Sequence, residues 1–214
     1  MRCLCKKDSD EQGRQTQFIR LCHLPTKTEH KTFEKFLTYG DEILEEALAS
    51  AIKVSDGSPD TVFLTLLGES DKGKSHLAIA ACRRHLEQGH AASYVNVPAM
   101  LQELREGYDK EAQYSYSSIL TLYKRVGLLV LDDLGTEKGS EWGAEQIQSI
   151  IDARYDNALH TIVTTNRPLD DLFKYEDNRR EHWRDLANMR VRSRLERESW
   201  CKVLVLDCKE HMMR

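Results

Sequence analysis

Between an apolar run, Val62–Leu67, and a helix-forming stretch stands Gly68-Glu69-Ser70-Asp71-Lys72-Gly73-Lys74-Ser75, a fit to G-x-x-x-x-G-K-[ST]. Few eight-residue segments restrict a fold so severely. The pattern works only where a buried strand ends, a loop turns back and a helix begins. There the loop's backbone N–H groups and the helix N-terminus together cradle phosphates. In that setting Lys74 reaches the β and γ oxygens of a nucleoside triphosphate and Ser75 ligates Mg²⁺, with His76 following in the first helical turn. Position four is unusual for carrying Asp71. A carboxylate about 5 Å from a phosphate costs about 3 kcal/mol at an effective dielectric of 20. Either Lys72 offsets that repulsion or Asp71 points outward.

From about Thr61 onward, β-rich runs alternate with helical patterns, the signature of a parallel sheet covered by helices. The expected strands are Val62–Leu67, Ala92–Val97, Leu128–Leu131, Thr161–Thr165 and Lys202–Leu206. The expected helices are Lys74–Gln88, Pro98–Tyr108, Ser117–Arg125, Glu141–Asn157 and Ala187–Glu196, with Gly89 stopping the first and Pro98 starting the second. The fold class that follows is α/β, a P-loop architecture with a five-stranded parallel sheet flanked by helices and little or no C-terminal lid. Residues 1–31 are polar, charged and thiol-bearing, and read as a short lead-in to an ATP-binding domain over 32–214.

A chain of 214 residues holds one such domain and not two. The N-terminus has no apolar stretch behind its charges, and no run approaches the roughly 20 residues of a membrane span, so neither secretion nor a span is expected. Six scattered cysteines read as reduced thiols, which agrees with a cytoplasmic location; Cys82 lies in an apolar stretch and belongs to the core. The net charge is −4 and the pI about 6.1, so contact with nucleic acid requires a local patch.

Leu128-Leu-Val-Leu-Asp132-Asp133 is a buried strand opening on two carboxylates. Asp132 is placed to hold Mg²⁺ through water, and Asp133 to polarise the attacking water as general base. Asn166, in Thr164-Thr-Asn-Arg-Pro168, follows the next strand and projects beside Asp133, unless the segment is only a strand-ending turn. Seven arginines, Arg179 to Arg197, crowd among Glu and Asp, as a solvated ion-paired face would. Within them Arg190 and Arg194 lie four apart on one helical face, where they can approach a neighbouring subunit's phosphate. The alternative is an ion pair from Arg194 to Glu198.

Taken in order, these residues resemble the AAA+ family of bacterial replicative-helicase loaders (DnaC and DnaI) and the related transposition helper IstB. The matching run comprises Thr32-Phe-Glu-Lys-Phe36, the phosphate loop with His76-Leu-Ala78, Leu128 to Gly135, Thr164 to Pro168 and Arg190-Val-Arg-Ser-Arg-Leu195. The resemblance implies ATP and Mg²⁺ as cofactors. By position, Lys74 and Ser75 look like Walker A, within a nucleotide-contacting stretch from Gly68 to His76. Asp132 and Asp133 look like Walker B, Asn166 like sensor 1 and Arg194 like a trans-acting arginine finger. Where the family tends to end in Asp-x-Arg, this chain has Asp207-Cys208-Lys209, leaving Lys209 or Arg214 for the sensor 2 role. Family loaders often carry zinc-binding thiols near the N-terminus. Cys3, Cys5 and Cys22, with His23, are the residues available for zinc here, the alternative being unliganded thiols.

The function so implied is that of an ATP-hydrolysing helicase loader in DNA replication, assembling through its ATP interface on single-stranded DNA or on a helicase. A transposition helper that assembles on target DNA and recruits a transposase shares the same engine. A small-molecule P-loop kinase or a GTPase fits less well. The chain has no [NT]-K-x-D guanine-reading element, and a kinase has no need of Asn166 and Arg194.

Overall fold

A computed structural model describes residues 24–109, 111–136, 140–173 and 181–207. Side chains along its strands part to two sides with a period of two, as a sheet buried on both faces requires. Leu64 and Leu66, Leu128 and Val130, and Ile162 enter one apolar cluster; Phe63, Leu129, Leu131 and Val163 enter the other. The strands are β1 (Phe63–Leu67), β2 (Ala92–Asn96), β3 (Leu128–Leu134), β4 (His160–Thr165) and β5 (Cys201–Val205). All pair in parallel, in the order β2-β3-β4-β1-β5. Because β4 lies between β1 and β3, the chain ends of these three strands stand side by side along one edge of the sheet.

Helices α1 (Glu42–Ser55) and α2 (Lys74–Glu87) cover the first face. Helices α3 (Val97–Glu106), α4 (Tyr116–Arg125), α5 (Glu141–Asp156) and α6 (Glu181–Glu196) cover the second. The five expected strands and five expected helices are all present, most with ends shifted by one or two residues. Three differences are larger. Helix α6 starts at Glu181, not Ala187, and β3 runs on to Leu134, carrying both carboxylates inside the strand. Helix α1 was not among the expectations. Its start is capped by Asp41, whose carboxylate accepts from the N–H groups of Ile43 (2.9 Å) and Leu44 (3.1 Å), and it buries Leu44, Ala47, Ala51 and Val54. Cys82 lies in the core, as expected.

The second face is pinned by Arg154 of α5, which is fully buried. Its guanidinium donates to the carbonyls of Tyr123 (3.0 Å), Val126 (2.8 Å) and His160 (2.6 Å) and to the Thr161 hydroxyl (2.9 Å). The first two carbonyls close the C-terminal end of α4, where a cation meets the negative end of the helix dipole. Burial lowers its pKa to about 9. Removing such a side chain strands several buried acceptors, each costing about 1–3 kcal/mol.

Candidate nucleotide-binding site

The loop after β1 takes its shape from two glycines. Gly68 sits at φ 143° with its back against the Leu206 carbonyl, 2.5 Å from where a Cβ would stand, so no other residue fits. Gly73 has φ 86° and would bring a Cβ to 2.7 Å from the Phe36 ring. Between them Asp71 also adopts a left-handed conformation, φ 63°. Lys74 is buried, and its ammonium donates to the carbonyls of Gly68 (2.7 Å) and Glu69 (2.5 Å). Burial pulls its pKa below the usual lysine range, while Asp133, Asp132 and Asp71 pull the other way. A buried cation resting on two loop carbonyls fits an incoming phosphate.

Asp132 is 4% exposed, and three hydroxyls converge on it. Thr164 donates at 2.6 Å, Ser75 at 3.0 Å, and Tyr94 makes the third bond. Burial and Asp132 raise the Tyr94 pKa, which keeps the phenol a donor. Ser75 and Asp132 form a pair of hard oxygen ligands at the head of α2, a donor set that suits Mg²⁺ accompanying a nucleotide. Asp133 lies at φ 60° where the register of β3 shifts between Leu131 and Leu134, a bulge that aims it differently from its neighbour. Its backbone N–H donates to the Thr164 hydroxyl (3.0 Å), and its carboxylate accepts from the Asn96 amide (3.2 Å). Burial raises the Asp133 pKa, Asp132 adds to this, and Lys74 opposes it.

Lys31, Ser70, Asp71, Gly73, Lys74, Ser75, His76, Asp133 and Asn166 line one cleft of about 350 Å³. The Nε2 of His76 lies 2.8 Å from the Thr32 carbonyl, which can only accept, so Nε2 carries the proton. Burial lowers the His76 pKa, and its ring meets Phe36 edge-on at 5.4 Å. The segment around Phe36 thus buttresses the phosphate loop.

The sequence pattern of the family described as IstB-like ATP binding protein matches residues 5–178. The chain belongs to that family. The replicative helicase loader DnaC of Escherichia coli strain K12 is 26% identical over 107 residues, covering 50% of this chain and 43% of that protein. The putative ATP-binding protein of insertion sequence IS1162 from Pseudomonas fluorescens is 28% identical over 125 residues, 58% of this chain and 52% of that one. The chain thus matches about half the length of these relatives. In fold, the crystal structure of a DnaC helicase loader superposes with a TM-score of 0.63 at 23% identity, over 85% of this chain and 99% of that one. The IstB-like chain thus belongs to a family of ATP-binding proteins and shares the P-loop fold of that loader structure.

Of the residues singled out from the IstB-like sequence, those of the loop, Asp132, Asp133 and Asn166 gather at the joined ends of β1, β3 and β4. Asp71 is among the residues that line the cleft. Arg194 stands elsewhere, lining a second cleft with Gln148, Asp152, Leu186, Met189 and Arg190. Its ion pair goes to Asp152 (2.9 Å), while Glu198 instead accepts from the Tyr155 hydroxyl (2.9 Å). Arg192 carries the solvated reading of the arginine-rich stretch, pairing with Asp170 and with Glu196. Cys3, Cys5, Cys22, His23, Lys209 and Arg214 lie outside the described residues. Among the described residues no cluster of His, Cys, Asp or Glu is arranged to hold a metal ion by itself. Sequence reasoning missed Tyr94 and Asn96. Only the pairing of Asn96 with Asp132 across β2 and β3 places them at the carboxylates.

Proposed function

We propose that this chain is the ATPase of a helicase loader, binding ATP·Mg in the Lys74 cleft and hydrolysing it when subunits assemble. The observation that supports this reading is the gathering of Lys74, Ser75, Asp133 and Asn166 around one cleft, with Asp132 bonded to Ser75 behind it, while Arg194 lines a separate cleft. Lys74 leaves the loop carbonyls for the β and γ oxygens. Asn166 orients the attacking water, and Asp133 accepts its proton. Ser75 and Asp132 would hold a magnesium ion accompanying the nucleotide, which would neutralise charge on the phosphates.

The similarity to DnaC supports replication as the setting. Single-stranded DNA suits the aromatic face where Tyr108 stacks on Tyr116 at 4.5 Å and the Arg105 guanidinium lies 4.9 Å from the Trp142 ring. Tyr108 is 59% exposed, and stacking on such rings contributes about 1–3 kcal/mol per base without reading sequence. No described helix is long and apolar enough to cross a membrane, in keeping with work in the cytoplasm. The similarity to the IS1162 protein favours the second reading, a transposition helper on target DNA.

The test is capture of partners by the full chain with and without ATP, beside measured ATP binding. The replicative helicase is expected to be retained with ATP, and Lys74→Ala to weaken ATP binding at least about a hundredfold and lose the helicase. Retention of a transposase instead transfers the role to the second reading. Unchanged ATP binding by Lys74→Ala overturns the site.

A further inference from the structure

The geometry points to Asp152 and Tyr155 as the residues that position Arg194 for a neighbouring subunit's nucleotide, an inference that rests on the trans-acting role of Arg194 proposed above. Arg194 lies on α6, and its guanidinium is held in two ways by α5. Its Nε donates to the Asp152 carboxylate at 2.9 Å, and one face lies 4.6 Å from the Tyr155 ring. Both partners are themselves fixed. Gln148 donates to the other oxygen of Asp152 at 3.3 Å. The Tyr155 ring leans on Trp200 at 5.0 Å and on Phe63 at 6.3 Å, and its hydroxyl is tied to Glu198.

A guanidinium is a planar fork, so fixing the Nε edge and one face fixes the whole group. The hydrogen bond to Asp152 is made through Nε, which leaves the edge formed by the two Nη groups for another partner. That edge is the one whose parallel N–H bonds match two oxygens of a phosphate. The arginine is 32% exposed and borders a cleft of about 550 Å³. Leu186 (41% exposed), Met189 (67%) and Arg190 line the same cleft, an apolar rim beside two cations such as a protein interface presents. Its occupant is the phosphate-bearing edge of a second copy of this chain. Asp152 and Tyr155 then do in advance what assembly would otherwise have to do, orienting a flexible side chain before the phosphate arrives.

The test measures ATP turnover by the full chain against protein concentration, with and without a thymidine oligonucleotide, for Asp152→Asn, Asp152→Glu, Tyr155→Leu, Tyr155→Phe and Arg194→Ala. Asp152→Asn is expected to lower kcat of the assembled protein about tenfold to a hundredfold. The KM for ATP and single-subunit ATP binding stay within about twofold. Asp152→Glu restores most of the rate. Tyr155→Phe, which keeps the ring and loses only the tie to Glu198, is slowed far less than Tyr155→Leu. Mixing locates the defect: Asp152→Asn protein regains turnover with Asp133→Asn subunits, which supply an intact arginine, and not with Arg194→Ala subunits. Rescue by Arg194→Ala subunits instead of Asp133→Asn subunits would place the fault in the nucleotide cleft and overturn the inference; rescue by both or by neither overturns it too. Equal or faster turnover by Asp152→Asn, with Arg194→Ala slowed, would show that the pair merely parks the arginine, and also overturns it. If Arg194→Ala itself turns over normally, the trans-acting reading fails first, a result distinct from the other two.

Discussion

The nucleotide cleft and the Arg194 cleft are built on opposite plans. In the first, strand ends and loop backbone fix everything: Lys74 is buried on two carbonyls, and Asp132 is held by three hydroxyls. In the second, two helices bring up side chains around a half-exposed ion pair, and the charge is only partly answered. A site of the first kind can bind its ligand alone. One of the second kind becomes a site only when another surface closes it. Substitutions in the first should therefore be felt by a single subunit, and those in the second only by an assembly.

The sharpest break of this contrast is Arg194→Ala. An arginine finger is worth about 10³–10⁵ in rate where it acts on the charge building at the γ-phosphate. The variant should bind ATP as a monomer like wild type and lose that factor from the turnover gained on assembly, as read by ATPase rate against concentration. Mixing it with Asp133→Asn protein should restore part of the turnover, because some interfaces then join an intact Asp133 to an intact Arg194. A loss already present in the dilute monomer would place Arg194 in its own cleft and erase the distinction.

Asp133→Asn is the next largest, about 10²–10⁴ in turnover with Mg·ATP binding kept, because an amide cannot take the water's proton. Here pH gives a second reading. The folded pKa of Asp133 is raised, chiefly by burial, so the folded state holds its proton more tightly than the unfolded chain does. The stability from that proton is present below the unfolded pKa and is lost as pH rises through the folded one. The amide removes the cost of the ionised form, so thermal unfolding at neutral pH should shift slightly upward for the variant and not at acid pH. Wild-type kcat should fall on the acid side at a higher pH than an ordinary carboxylate gives.

The two clefts were not equally legible in the sequence. The phosphate loop is a local pattern and is found where it was expected. The carboxylates were expected after the apolar run Leu128–Leu131, at the mouth of the strand. They lie within it because Ser75, Tyr94 and Thr164 supply the bonds that make a buried Asp132 tolerable. Tyr94 and Asn96 carry no motif, and their part follows from sheet order alone. Helix α1 stands ahead of the alternating strands and helices that begin at about Thr61, so its stripe of Leu44, Ala47, Ala51 and Val54 lay outside the pattern that made the other helices legible. For Arg194 the local rule suggested Glu198 at i+4; the true partner, Asp152, is distant in sequence and comes from the crossing of α5 and α6.

The smallest effect expected is at Asp71, and it asks whether the first cleft is as settled as its backbone suggests. Asp71 combines two costs, a carboxylate on the wall that receives phosphates and a left-handed φ of 63°. Its charge also props up the Lys74 cation, though less than Asp133 and Asp132 do. The phosphate repulsion outweighs that support, because a triphosphate carries several charges and the lysine only one. Asp71→Gly should tighten ATP binding up to about tenfold, a gain that shrinks at high salt as exposed charges are screened. Asp71→Asn separates the causes, since asparagine tolerates the left-handed region and removes only the charge. If both variants gain equally, the effect is electrostatic; if only glycine gains, it lies in the backbone. Unchanged affinity in both, measured by titration at low and high salt, would mean that Lys72 already neutralises the carboxylate and that the loop bears no cost at this position.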